Sequence, residues 1–164
     1  MDLPDFADPG VLPFFTTALI VIIAAAIFGG KPERFGAAVL AFMPISQFLL
    51  YSTIASPVFG GVDWISVTVD VIGLVGFSII LFHADRIWTV GAFSMTLLST
   101  VSHFARFNTD MLGFSYAQFK AVPTGLLILL ILIGTACHQW RLRQRGEDRD
   151  WVPHKAYKRI REIA

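Results

Sequence analysis

The chain has 164 residues, 55% hydrophobic and only 15% charged, with a mean hydropathy of +0.65. That balance is too apolar for an ordinary soluble domain, so the bilayer is the expected solvent. The net charge of +1 hides an uneven distribution, because eight of the thirteen lysines and arginines lie between Arg141 and Arg161.

In chain order, the first ten residues, MDLPDFADPG, hold Asp2, Asp5 and Asp8 and no basic residue. A secretory signal has a basic stretch ahead of its apolar core, so residues 11–29 are read as a retained span rather than a cleaved leader. A span needs about 20 mostly apolar residues, and four further candidates follow at 37–54, 65–83, 87–104 and 122–140. The expected fold is all-α: an integral bundle of five transmembrane helices over residues 1–140, then a basic cytoplasmic tail at 141–164. A four-helix count requires one run to be re-entrant, and Pro13 makes the first run the candidate.

Basic residues set the orientation. An outside N-terminus puts Lys31, Arg34, Arg86 and the eight tail residues in the cytoplasm and leaves only Arg106 and Lys120 outside, as the positive-inside rule favours. Tyr51, Trp64 and Tyr116 then fall at the outer interface and Trp88 and Trp140 at the inner one, where aromatic anchors belong.

The loops are short. Gly29-Gly30-Lys31-Pro32-Glu33-Arg34 reads as a tight turn in which the glycines end one helix and Glu33 caps the next. Residues 55–63, with Pro57 and Gly60-Gly61, read as an irregular turn. His83-Ala84-Asp85-Arg86 forces the two central helices to be antiparallel neighbours. Residues 106–121 form either an interfacial helix or an early start to the fifth span, near Ser115.

The central hairpin carries the chemistry. Asp70 lies about 9 Å inside the start of its helix, level with His103 at the end of the next. An acid at that depth costs roughly 2.5–3.5 kcal/mol on insertion scales and needs a partner or a wet cavity. The expected polar cluster is Asp70, His103, Gln47, Ser99 and Arg106, with Thr96 and Thr100 on the same stripe as His103. Such a stripe reads equally as interhelical hydrogen bonding or as a cavity wall, while Gly73 and Gly76 favour close packing.

Two other histidines, His83 and His138, share the cytoplasmic depth and are the candidate ligands for a b-type haem, although both abut charged turns. In the tail, Arg141, Arg143 and Arg145, with Lys155, Lys158 and Arg159 in a short basic helix, suit anionic lipid headgroups. Nucleic acid is not an expected partner, because the bilayer accounts for this short basic run. The single cysteine, Cys137, excludes an intramolecular disulfide and an all-cysteine metal site, and no metal-binding motif is present. Phosphate-loop, HExxH, GxSxG and CxxC patterns are absent, so catalysis is the least supported class.

The motifs GGKPERFGA after the first span, HADRIWTVGAF at the central turn, VSHFARF at the end of the fourth span and WRLRQR in the tail together resemble a group of uncharacterised alphaproteobacterial membrane proteins of similar size. The resemblance covers nearly the whole chain. It implies the span count and a bacterial inner-membrane location, and it assigns no activity to any residue. The expected role is a non-catalytic helical subunit or scaffold of a membrane assembly or homo-oligomer. The alternatives are a small transporter or channel with a proton-sensitive site at Asp70 and His103 and, third, a haem-binding subunit.

Overall fold

The computed structural model describes residues 11–54, 58–59, 62–84, 86–105, 113–146 and 151. They form five helices, α1 (Val11–Phe28), α2 (Lys31–Thr53), α3 (Trp64–His83), α4 (Ile87–Ala105) and α5 (Gly113–Arg145). A short ribbon, β1 (Val58–Phe59) and β2 (Val62–Asp63), joins α2 to α3. The acidic N-terminus and the basic helix expected in the tail lie outside the described residues.

Local chemistry explains the boundaries. Pro32 sits in the first turn of α2, where its missing N–H would have no helical partner anyway, so α2 starts at Lys31 rather than at 37. Arg34 donates from Nε to Gly29 O at 3.0 Å, closing the end of α1. Glu33 does not cap α2: Gly30 is the capping residue, with no side-chain bond, and Glu33 is turned wholly inward. The stretch expected to be irregular contains antiparallel pairs, Val58 with Asp63 and Phe59 with Val62, the spacing of a two-residue hairpin. Asp63 then caps α3, accepting from the Ile65 and Ser66 N–H groups at 3.1 and 3.4 Å. The fifth helix begins early, at Gly113, and ends where Gly146 turns to φ +72 and its N–H bonds Leu142 O.

Each helix packs on the next, and α5 returns to α1 and also touches α2, closing a ring. Side-chain bonds fix the directions. Gln47 near the end of α2 reaches Ser66 at the start of α3, and Asp70 near the start of α3 reaches His103 at the end of α4. Gln139 near the end of α5 donates to Phe28 O at the end of α1. Thus α1, α3 and α5 run one way and α2 and α4 the other.

Trp88 occupies the core rather than an interface. It is 4% exposed, and a Cβ on Gly36 or Gly134 would lie 3.0 or 2.7 Å from its ring, so both helices approach it through glycine. Trp140, expected at the same interface, is exposed. Gly73 and Gly76 face Met43 and Val39 across the α2–α3 contact, where an added Cβ would lie 2.7 and 2.8 Å away.

The outer surface is a belt of large apolar side chains on every helix, including Leu19, Phe48, Ile72, Val101 and Leu129. Soluble monomers rarely expose so much contiguous apolar area. Three helices, Lys31–Thr53, Trp64–His83 and the Ala121–Arg145 portion of α5, are long and apolar enough to cross a membrane.

Glycine substitutions separate packing from propensity. Gly134→Ala should destabilise the bundle by about 1–3 kcal/mol, because the buried, hydrogen-bonded indole cannot move aside. Gly125→Ala, with nothing within 4 Å of the new Cβ, should be neutral or stabilise by up to about 1 kcal/mol. Thermal unfolding in lipid nanodiscs reads both, and equal effects would contradict the packing described.

Candidate functional site

The site is built on the α3–α4 pair. Ser99 and His103 are four residues apart and so share one face of α4. Both meet the same oxygen of Asp70: Ser99 Oγ donates to Oδ2 at 2.8 Å, and His103 Nε2 lies 2.9 Å from it. All three residues are buried, His103 completely. An ionised carboxylate only accepts, so the imidazole contact then carries its proton on Nε2, directed at Asp70.

The remaining polar residues divide differently from expectation. Gln47 does not bond to Asp70. Its Nε2 donates to Ser66 Oγ at 2.6 Å, because the residue facing it on α3 lies one turn nearer the helix start. Ser66 in turn donates to Asp63 Oδ2 at 2.8 Å, and Tyr51 Oη lies 3.0 Å from its oxygen. With its hydrogen committed to Asp63, Ser66 can only accept from Tyr51 and Gln47, which completes its bonding capacity.

Nor do the α4 hydroxyls bond between helices as a stripe. Thr96, Thr100 and Ser102 donate to the carbonyls of Ala92, Thr96 and Ser99 on their own helix, and Ser99 alone of this set crosses to Asp70. Arg106 lies outside the described residues.

Beside Asp70 is a cavity of about 210 Å³, lined by residues of all five helices. Its walls are chiefly apolar, among them Phe14, Ile22, Leu40, Met43, Met95 and Leu127. Polar groups gather from Gln47, Asp70, Thr96, Ser99 and Thr124. Pro44 within α2 and Pro123 within α5 both line it. A proline inside a helix removes one ladder bond and crowds the carbonyl four residues back, which disturbs close packing at that level.

A second buried polar group lies at the opposite end. Trp88 Nε1 donates to Glu33 Oε1 at 2.9 Å, and Arg86 Nε stands 3.8 Å from the same oxygen, with both charged side chains essentially sealed from solvent. Arg86, counted among the cytoplasmic loop charges, is thus inside the bundle. Sequence reasoning missed this group. The available signal was Glu33 itself, the one acid between Asp8 and Asp63, followed one turn later by Gly36.

The histidines considered for haem stand apart from the cavity. His83 is exposed, with Nδ1 against Ile79 O at 2.8 Å and its ring 6.4 Å from that of Trp151. His138 is buried, and neither residue lines the cavity. Among the described residues no three of His, Cys, Asp and Glu converge on one point. Arg143 and Arg145 are exposed at the end of α5 and Arg141 is half-buried, while Lys155, Lys158 and Arg159 lie outside the described residues.

No protein-family model, curated protein or solved structure matches this chain. The reading of the site therefore rests on its own geometry.

A double-mutant cycle on Asp70→Asn and His103→Gln should return a coupling of about 1–2 kcal/mol, at the upper end for interhelical hydrogen bonds in membrane bundles. Ser99→Ala should cost about 1 kcal/mol. Unfolding in nanodiscs measures each. Strict additivity of the two cycle variants would show that the 2.9 Å contact contributes nothing.

Proposed function

We propose that this is a five-span protein of the bacterial inner membrane, N-terminus outside and tail in the cytoplasm, that binds a small lipophilic molecule in the cavity beside Asp70. The observation that carries the reading is the cavity itself. Chiefly apolar walls from all five helices, with a few converging polar side chains, match the general character of small-molecule sites.

Five spans follow from how the other two helices, α1 and α4, are built. The apolar stretch of α1, Leu12–Phe28, is slightly short, and local thinning of the bilayer accommodates such a mismatch. Helix α4 is rich in serine and threonine, but its hydroxyls bond to carbonyls of their own segment or to Asp70, so it carries little unsatisfied polarity into lipid. Orientation rests on the basic residues in and after the last turns of α5, and the inner-membrane location on the alphaproteobacterial resemblance. Among the roles raised by the sequence, this reading favours the small transporter over the scaffold.

Filling the cavity tests the proposal. In nanodiscs, benzene-sized lipophiles such as toluene and indole should raise the unfolding midpoint of the wild type, since a ligand at a hundred times its Kd adds about 2.7 kcal/mol. Ala18→Leu, which projects into the cavity from α1, should abolish the shift while leaving the protein folded. If no lipophile stabilises the wild type, the binding role falls and the subunit or scaffold role takes its place.

A further inference from the structure

We infer that the cavity selects a lipophilic amine, with Asp70 as the counter-ion of its ammonium head. The inference rests on the binding role just proposed and names the chemical class of its ligand.

The argument is one of donors and acceptors. Among the described residues lining the cavity, Asp70 is the one ionisable side chain, and none is Lys, Arg or His. His103 reaches the carboxylate from outside the lining, so a bound molecule meets the acid and not the imidazole. Two of the neutral polar residues have already committed their hydroxyl hydrogens. Thr96 Oγ1 donates to Ala92 O at 2.9 Å and Ser99 Oγ to Asp70 Oδ2 at 2.8 Å, so both hydroxyls keep only lone pairs for a ligand. Gln47 donates one Nε2 hydrogen to Ser66 and retains its second amide hydrogen and Oε1. The polar end of the cavity is therefore centred on a carboxylate and rich in acceptors. An anion meets repulsion there, a ketone or ether has no charge to set against the carboxylate, and an ammonium group meets both a carboxylate and several lone pairs.

The walls suit the rest of such a molecule. A phenyl ring from Phe14 and the thioether of Met95 are soft, polarisable surfaces that accept aromatic or branched aliphatic bodies, and an aromatic face also attracts a cation. At about 210 Å³ the space exceeds the roughly 150 Å³ of a protein cavity that holds benzene, which leaves room for a ring with a short aminoalkyl arm.

Equilibrium dialysis of phenethylamine and phenethyl alcohol against nanodiscs carrying the full chain, with empty nanodiscs subtracted, tests the inference. The two probes share a body and differ in the head. The amine should bind the wild type about tenfold more tightly or better, the scale of a hydrogen bond to a charged partner. Asp70→Asn should erase that preference. Ser99→Ala keeps the carboxylate and should keep the preference. Equal binding of the two probes to the wild type overturns the amine assignment and leaves the cavity role standing, a result that needs no variant to fold. Binding of neither probe overturns both the inference and the role beneath it.

Discussion

A carboxylate inside an apolar bundle dictates what stands within a turn of it. Asp70 is buried, and Ser99 and His103 converge on a single one of its oxygens. Each is placed by helix geometry. Asp70 lies thirteen residues before the end of α3, Ser99 twelve and His103 sixteen residues after the start of α4. At 1.5 Å per residue these are about 20, 18 and 24 Å from the connection, so the acid falls between its two partners in depth. The brevity of the turn after His83 is what makes that register stable, since a longer connection would let α4 slide and strip the acid of both contacts.

The opposite end of the bundle is held by a different device. Trp88 is too large to enter a packed helix interface unless the neighbours lack side chains, and Gly36 and Gly134 supply that space. Once seated, its indole N–H needs an acceptor, and Glu33 provides one. Glu33 in turn is tolerable inside because Trp88 and Arg86 both address the same oxygen. These contacts tie α2, α4 and α5 together near the α3–α4 connection. Towards the Asp70 level no comparable aromatic plug enters from α4, and Pro44 and Pro123 disturb α2 and α5, so the cavity is found there and not beside Trp88.

How much of this the sequence disclosed follows from which features are local. Helix positions were legible because apolar run length is a one-dimensional property, and the shared depth of Asp70 and His103 needs only residue counting across a short turn. The partner of Gln47 was not legible, because a displacement of one turn between α2 and α3 exchanges Asp70 for Ser66 and nothing in either helix specifies it. Trp88 next to a loop reads as an interface anchor until Gly36 and Gly134, far apart in sequence, are brought to its two sides. The direction of a serine or threonine hydroxyl is ambiguous in any helix, since the carbonyl four residues back always competes with a neighbouring helix. The cavity was the least legible feature, because a void depends on all five helices at once and leaves no residue pattern of its own.

Stability alone does not account for Asp70. Buried ionic pairs replaced by well-packed apolar residues of similar volume often leave a protein equally or more stable, and an acid at membrane depth adds an insertion cost. A Leu or Met at this position of α3 would pack against α4 without requiring Ser99 or His103. What an apolar residue would remove is the charge at the edge of the cavity, along with the hydroxyl and imidazole that fix the carboxylate in one orientation. Two donors on a single oxygen orient the group more firmly than burial requires, and a fixed carboxylate beside an open volume is the arrangement that recognition of a ligand needs. The polar triad thus fits the binding role proposed for the cavity better than a purely structural role.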